Sequence, residues 1–317
     1  MFKPAPSHDI DYGVTFSKKY AEQLGLDWQE SYIKILDELG IKNIRLVAYW
    51  DESEPIDDEF NFDDILWQLE EAKKRDISVI MAIGRKVPRY PECFEPDWWK
   101  NLDSEELKKI ELYEYVSRAT LELKHFDNIV IWQVENEPFF PFGECEDIKE
   151  EDVEKEILIV REIDGRPILT QDSGEGGFWY PSYSRGDYLG ISMYRRIWYD
   201  FWGIFFGNTV YFQYPLPNWT YRLRSIVLRV PMDKIIVTEL QAEPWGPAGN
   251  EALSRAVKDK TMSKQHFLST ISYAQNSGFG ELYLWGVEWW LFEKEVLNEP
   301  FFWDTARVLM GSNSLGD

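Results

Sequence analysis

The chain has 317 residues, of which 44% are hydrophobic, enough to bury one large core or two ordinary ones. Its 56 acidic and 34 basic residues give a net charge of −22. This balance argues against DNA, RNA or an anionic membrane surface as a partner, because phosphate binding needs concentrated Lys and Arg. The chain is also rich in aromatic residues, with 15 Trp, 17 Tyr and 19 Phe. These are large core fillers, and Trp also offers flat faces for sugars or bases.

Short β-type runs alternate with helical patterns from one end of the chain to the other. The β-type runs begin at Tyr12, Lys42, Ile77, Asn128, Pro167, Asp187, Lys234 and Glu281. The helical patterns cover Trp28–Leu39, Asp63–Arg75, Ser104–Lys124, Asp147–Glu162, Trp219–Arg229 and Lys264–Asn276. The run ISVIMAIG (77–84) is almost continuously apolar, as expected of a strand buried on both faces.

Two segments between these elements receive their own interpretation. GGFWYPSYSRG (176–186), between the fifth and sixth strands, is typical of a loop. The charge run EDIKEEDVEKE (146–156) indicates the solvent-exposed face of a helix.

Strict alternation with eight strands favours one architecture. A single (β/α)8 barrel of the α/β class fits this count and length better than a doubly wound sheet. No Pro- or Ser-rich linker divides the chain, so residues 1–317 are expected to form one domain.

The N-terminal segment MFKPAPSHDIDYG lacks a basic region followed by an apolar run. We therefore expect no signal peptide and a cytoplasmic protein. No window of about 20 apolar residues predicts a membrane span. The nearest approach, Ile197–Phe212, is interrupted by Asp200 and glycines. It is expected to be a loop packed on the barrel rim, with an interfacial or dimer-forming role left open; the oligomeric state stays open too.

Cysteine and histidine are scarce. Cys93 and Cys145 provide no disulfide framework and no zinc set, although one bridge between them stays open. His8, His125 and His266 are scattered without ligand spacing. We therefore expect no metal and no cofactor.

Two glutamates are expected at the ends of barrel strands, where barrel enzymes carry their catalytic groups. Glu137 ends the fourth strand within Asn-Glu-Pro, and Glu239 ends the seventh within IIVTELQ. Three βα units separate them, which predicts opposite sides of the barrel mouth. Two facing carboxyl groups are what glycosidic bond cleavage needs: one protonates the leaving oxygen, and the other attacks or positions water.

The motifs WQVENEP (132–138) and VTELQ (237–241) resemble those of clan A retaining glycoside hydrolases, which include many cellulases, mannanases and β-galactosidases. The resemblance spans nearly all the strands, although the motifs are short, and it assigns no individual family. It implies Glu137 as acid/base and Glu239 as nucleophile. It also implies Asn136 as a partner of the sugar 2-hydroxyl, and Arg45, at the end of the second strand, as the cation that keeps Glu239 ionised.

Further substrate contacts follow from the resemblance or from position. Tyr194, at the end of the sixth strand, matches an aromatic hydroxyl that contacts the nucleophile. Trp285 matches the aromatic floor beneath the sugar. The remaining candidates are Trp50 at the end of the second strand, Glu288 in WGVEWW, and Arg85 and Lys86 in the basic, aromatic loop after the third strand, interpreted as a subsite wall.

Glu135 lies two residues before Glu137, so extended alternation predicts that both point to the same face. It is expected to be a substrate contact or a structural partner for an arginine, and less so a rival acid. Glu243, past the predicted end of the seventh strand, is a nearby rival to Glu239.

The pentapeptide NEPFF occurs at 136–140 and again at 298–302. In the second copy, Asn298 is expected to cap a helix with Pro300 near its first turn, and Phe301 and Phe302 are expected to pack beneath the last helix.

The predicted function is retaining cleavage of β-linked hexose glycans or oligosaccharides. The alternative is a catalytically silent barrel that binds carbohydrate. A metal- or phosphate-dependent barrel enzyme would need a His/Asp ligand cluster or a Gly-rich phosphate loop, and the sequence shows neither. The sugar, the linkage and endo or exo action are left open.

Overall fold

A computed structural model of the chain describes residues 10–146, 148–199 and 210–311. Eight strands close into a parallel barrel with helices between most of them, in the order β1-β10-β9-β6-β5-β4-β3-β2. The predicted (β/α)8 fold is therefore confirmed. The barrel strands are β1 Asp11–Thr15, β2 Asn43–Val47, β3 Ser78–Ile83, β4 Ile129–Val134, β5 Ile168–Ser173, β6 Tyr188–Met193, β9 Ile235–Gln241 and β10 Glu281–Trp285.

Helices follow the barrel strands as expected, together with shorter ones that the sequence patterns did not predict. Ser104 caps the longest helix, its hydroxyl accepting from the backbone N–H of Leu107 at 3.3 Å. The described helices are α1 Lys18–Gln23, α2 Trp28–Glu38, α3 Trp50–Ser53, α4 Asp63–Lys73, α5 Asp97–Lys100, α6 Glu105–Leu123, α7 Glu150–Ile163, α8 Tyr180–Tyr183, α9 Trp219–Leu228, α10 Arg255–Met262, α11 Lys264–Gln275, α12 Val287–Glu295 and α13 Phe301–Gly311, with a 3-10 turn at Met232–Lys234.

The chain forms two compact units. The central unit comprises residues 42–191, and the terminal unit comprises the described residues of 1–41 and 192–317. The expectation of a single domain therefore stays a prediction. Within the part of the chain that is described, no helix combines the length and apolarity needed to cross a bilayer.

In the central unit, β2, β3, β4 and β5 pair side by side in parallel. Five of the six residues of β3 are buried, as the apolar run predicted. Its side chains face a core on both sides, so apolar residues are favoured at every position. The segment interpreted as loop after β5 contains one helical turn, α8.

In the terminal unit, β1 pairs with β10, and β10 pairs with β9. The sequence predicts a strand along the apolar run ELYLWGVEWW (281–290), but only its first half forms one. The strand ends at Trp285, because Gly286 adopts a φ of +121° and α12 begins at the next residue. Trp289 and Trp290 are therefore fully buried helix residues.

The second copy of NEPFF lies between α12 and α13. Asn298 has a φ of +56° and is exposed, so it ends the turn after α12 rather than capping α13 as predicted. Pro300 accepts from the N–H of Asp304 through its carbonyl at 2.9 Å and so begins α13. Phe302 packs against Trp289 with ring centroids 4.5 Å apart, as expected, while the Glu299 carboxylate pairs with Lys264.

The aromatic stretch 197–212 does not form the expected rim loop over the residues that are described. β7 Arg196–Tyr199 and β8 Val210–Gln213 make an antiparallel pair, with Ile197 opposite Phe212. Residues 200–209, the centre of the stretch, lie outside the described residues.

Candidate active site

Glu137 lies in a turn beyond β4. The strand ends at Val134, and both Glu135 and Glu137 have positive φ values, +60° and +46°. β4 therefore ends three residues before Glu137 and not at it as predicted, and the extended alternation from which a shared face of Glu135 and Glu137 was expected does not hold. Left-handed backbone at a residue other than glycine is costly and persists where surrounding contacts hold it.

The contacts that hold this turn come from the loop after β3. Asn136 donates its N–H to the Lys86 carbonyl at 2.6 Å. The Lys86 ammonium donates to the Glu137 carbonyl at 2.9 Å and to the Phe140 carbonyl at 3.0 Å. Lys86 is only 2% exposed, so it fixes the backbone beside Glu137 instead of forming the expected subsite wall.

Arg85 is likewise used inside the protein. It is 8% exposed. Its guanidinium donates to the Glu146 carbonyl at 2.9 Å and lies 3.4 Å from the Glu95 carboxylate. The expectation of an open basic wall is therefore not met by Arg85 or by Lys86.

A buried polar network surrounds Asn136. Arg45 donates to the side-chain oxygens of Gln133 at 2.8 Å, Asn136 at 2.6 Å and Gln171 at 2.8 Å. Both Arg45 and Asn136 are 0% exposed. Because Arg45 holds the amide oxygen of Asn136, the amide nitrogen points the other way, toward Glu92 at 3.2 Å. Asn136 is therefore locked in one orientation.

The position of Arg45 and two of its partners differ from what the sequence predicted. Arg45 lies in the middle of β2, two residues before its end, and its hydrogen bonds named above run to β4, to the turn after β4 and to β5. Gln133 and Gln171 were not singled out in the sequence. A polar residue in the otherwise apolar strand β4 was a signal for Gln133, whereas Gln171 lies among other polar residues of β5 and gave no such signal.

Trp50 cannot offer a face to a sugar in this conformation. It begins α3, is 0% exposed, and stacks on Tyr115 with centroids 5.1 Å apart. Its indole N–H donates to the Glu54 carboxylate at 2.7 Å. Its role is in the core, not at the substrate.

Glu239 is the fifth residue of β9 and is 4% exposed. Tyr194, directly after β6, donates its hydroxyl to Glu239 Oε2 at 3.2 Å. The Tyr194 ring contacts the edge of Trp245, with centroids 5.0 Å apart. The contact expected between this hydroxyl and the proposed nucleophile is thus present in the terminal unit.

Trp285 ends β10 and is 6% exposed. Its carbonyl accepts from the N–H of Ala242 at 3.1 Å, just after β9. Gly286 follows, where a Cβ would lie 2.5 Å from the Cβ of Glu243. Only glycine therefore allows Glu243 to lie this close to the end of β10.

Glu288 does not reach toward a substrate. It lies in the first turn of α12, is 0% exposed, and accepts a hydrogen bond from the backbone N–H of Ser17. It ties α12 to the segment that follows β1, which is a structural role.

Cys93 and Cys145 form a disulfide that joins the loop after β3 to the segment after Glu137. With Glu95 they are a group whose potential ligand atoms lie within 4.8 Å of one another. Zinc-type ligation requires thiolates, which the disulfide removes. These residues therefore do not provide a metal centre in this state.

Comparison with known proteins gives structural neighbours only. No family model matches the chain, and no curated protein matches it in sequence. A GH5_18 protein from Streptomyces cattleya in complex with GlcNAc aligns with a TM-score of 0.58 and 13% identity, over 88% of this chain and 70% of that one. The exo-β-1,4-mannosidase Op5Man5 from Opitutaceae bacterium strain TAV5 aligns with a TM-score of 0.59 and 16% identity, over 98% and 63%. A β-galactosidase from Rahnella sp. R3 aligns with a TM-score of 0.59 and 10% identity, over 87% and 50%.

The chain thus spans about two thirds of the mannosidase and half of the β-galactosidase. Identities of this size show a shared fold. The fold that the resemblance to clan A implied is confirmed on that basis.

Proposed function

We propose that the protein is a retaining glycoside hydrolase that cleaves β-linked hexose glycans or oligosaccharides, with Glu137 as acid/base and Glu239 as nucleophile. The observation that carries the proposal is the pair of buried glutamates associated with the fourth and seventh strands of a (β/α)8 barrel. Barrel enzymes place their catalytic groups at these strand ends.

The proposed reaction has two steps. A carboxylate oxygen of Glu239 bonds to the anomeric carbon while the glycosidic C–O bond breaks, and the leaving oxygen takes the proton of Glu137. Water then gives a proton to Glu137 and bonds to the anomeric carbon, which releases the Glu239 carboxylate. Both steps pass through a transition state with oxocarbenium-ion character.

The surrounding residues receive roles that agree with their contacts. Tyr194 orients Glu239 through the 3.2 Å hydrogen bond. Asn136 is held by Arg45 with its amide nitrogen directed outward from the guanidinium, and one amide hydrogen serves the sugar 2-hydroxyl. Such a contact accelerates the reaction when it strengthens in the transition state.

β-Mannosides are the first substrates to test. One similar structure is an exo-β-1,4-mannosidase, and another is a GH5_18 protein from Bifidobacterium longum bound to Manβ1-4GlcNAc. We propose a β-linked mannoside or a related hexoside as the substrate, with aryl β-mannosides, β-glucosides and β-galactosides as the screen.

The test separates the two glutamates. Glu239→Ala is expected to abolish both steps. Glu137→Ala is expected to retain the first step on aryl glycosides with good leaving groups, which need little acid assistance. Burst and steady-state kinetics measure the two steps, and Glu162→Gln, an exposed acid on α7, is the control. Equal loss of the first step in both variants contradicts the assignment.

A fluorinated sugar trap supplies a second test. Covalent labelling on the peptide that contains Glu239 is expected if this residue is the nucleophile. Binding of the sugar without labelling or turnover favours the catalytically silent barrel instead.

A further inference from the structure

Glu156 is a buried acid that the proposed reaction does not use. It belongs to the charge run interpreted as the exposed face of a helix, and that interpretation is wrong for this residue. Glu156 is 0% exposed in α7. Both of its carboxylate oxygens are buried without a hydrogen-bond donor from the part of the chain that is described, and the neighbouring carboxyl group that acts on its pKa from within hydrogen-bonding range is that of Glu135, which is also 0% exposed. Two carboxyl groups can share a hydrogen bond only when one of them holds a proton.

The contacts of Glu135 show which of the two is ionised. Its Oε1 accepts from the N–H of Arg85 at 2.9 Å and its Oε2 from the N–H of Lys86 at 2.7 Å. Burial raises the pKa of Glu135 as well, but the Arg85 guanidinium and the two backbone donors lower it, so Glu135 is the member of the pair whose charged form is favoured. The Glu156 oxygens accept from no donor in the described residues, so the proton belongs on Glu156.

The Glu135 carboxylate reaches these amides only because residue 84 has no side chain. A Cβ on Gly84 would lie 2.5 Å from Glu135 Oε1. The same backbone segment carries Lys86, whose ammonium holds the Glu137 carbonyl at 2.9 Å. A continuous set of contacts therefore runs from Glu156 through Glu135 and the 85–86 amides to the backbone of Glu137.

We propose that Glu156 is a positioning residue, a buried carboxylic acid that donates its proton to Glu135 and thereby fixes the turn that carries Glu137. Its effect on catalysis rests on the function proposed above, whereas its protonated state and its effect on the turn do not. If Glu156 loses its proton, two buried carboxylates face each other, and the contact that aligns the 85–86 amides is replaced by repulsion.

The charges around Glu156 agree with a protonated acid. Burial raises its pKa well above the usual range, and the neighbouring Glu135 raises it further. The Arg85 guanidinium acts in the opposite direction, while Asp152, one turn earlier on α7, adds to the increase. Tyr113 on α6 donates to Asp152 at 3.0 Å, and Lys109 pairs with the same carboxylate at 2.6 Å.

The variant Glu156→Gln tests the proposal because an amide donates without titrating. We expect its kcat at neutral pH to stay within roughly threefold of the wild type and its loss of activity at alkaline pH to move to higher pH. Glu156→Leu removes the donor, and we expect kcat to fall about tenfold or more with KM changed less than about twofold, because the acid is misplaced and not removed. Glu162→Gln on the same helix is the matched control.

Two measurements need no activity and so separate this inference from the proposed function. The infrared spectrum of the wild type at neutral pH is expected to show protonated-carboxyl absorption with a component that Glu156→Gln lacks and Glu162→Gln keeps, while the contribution of Glu54, whose pKa is about 7, is present in all three proteins. The protection factors of the Arg85 and Lys86 amides, which correct for the base catalysis of exchange itself, are expected to fall in Glu156→Leu and at alkaline pH in the wild type, but not in Glu156→Gln. A band unchanged in Glu156→Gln, or equal protection in all variants, overturns the proposal even if Glu156→Leu does not fold.

Discussion

At the scale of single residues, Tyr194 makes the one side-chain contact to Glu239 whose geometry is described above. Its hydroxyl lies 3.2 Å from Glu239 Oε2. Tyr194→Phe removes the donor and leaves the ring against Trp245. Hydrogen bonds to charged groups contribute about 1.5–3 kcal/mol, so we expect kcat/KM to fall roughly 10- to 100-fold, measured on an aryl glycoside.

Tyr180→Phe is the control for this prediction, since Tyr180 is an exposed tyrosine on α8. It is expected to leave kcat/KM unchanged. If Tyr194→Phe retains full activity with an unchanged unfolding temperature, the hydroxyl does not orient the nucleophile during turnover.

At the scale of elements, the two copies of NEPFF show how position decides the use of a motif. The first copy carries Glu137 in a buried turn after a barrel strand. The second ends one helix and begins another, with Glu299 in an ion pair near the surface. Identical residues thus have different backbone conformations: Asn298 is left-handed, while in the first copy the left-handed residue is Glu137.

The turn at Asn298 gives a prediction about stability. Asn298→Ala is expected to lower the free energy of unfolding by about 1 kcal/mol, because alanine lacks the short polar side chain whose local hydrogen bonding makes the left-handed region accessible to asparagine. Asn298→Gly is expected to stay within about 0.5 kcal/mol of the wild type, since glycine adopts this conformation freely and its cost is only the greater conformational entropy of the unfolded chain. Urea unfolding measures both.

Val296→Ala is the control for the surrounding helix end, because Val296 is exposed and has an ordinary right-handed conformation. Little change in the free energy of unfolding is expected for Val296→Ala. Equal stability of the alanine and glycine variants at residue 298 contradicts the strain argument.

At the scale of the whole molecule, buried acids make stability depend on pH. Glu54 is 2% exposed and accepts from the Trp50 indole at 2.7 Å. Burial raises its pKa to about 7. Between the ordinary glutamate pKa and about 7, the folded protein keeps a proton on Glu54 that the unfolded chain has released. The free energy of unfolding therefore falls as pH rises through this window.

Glu54→Gln is expected to flatten this pH dependence. A pKa change of this size corresponds to at most about 3 kcal/mol, so the wild type should lose up to that amount between pH 4.5 and 7 that the variant does not lose. Urea unfolding at several pH values measures it. Glu59→Gln, an exposed glutamate in the same loop, should behave as the wild type, and an equal slope in Glu54→Gln contradicts the role of burial.

Much of the fold was readable from the sequence because its signals are local. Short β-type runs that alternate with helical patterns identified the eight barrel strands, and continuous apolarity was the clearest signal for β3, which is buried on both faces. Continuous apolarity is not specific to strands, and it overestimated the length of the last one. The run from Glu281 to Trp290 contains both a strand and a helix, because a buried helix is as apolar as a buried strand. The antiparallel pair of β7 and β8 was missed because the aromatic residues of this stretch do not indicate which segments pair with each other.

For the candidate site, too, some features were predictable from the sequence and others depended on the tertiary structure. The sequence by itself determined that Glu137 and Glu239 follow or lie in strands of a barrel, because order and spacing along the chain fix which strand carries which residue. The contacts of Tyr194, the amide orientation of Asn136 and the structural use of Lys86, Arg85, Trp50 and Glu288 depended on the tertiary structure. So did the burial of Glu156, because a charged residue on a helix faces solvent or core according to what packs against it. Hydrogen-bond partners brought together by folding are distant in sequence, and no local pattern encodes them.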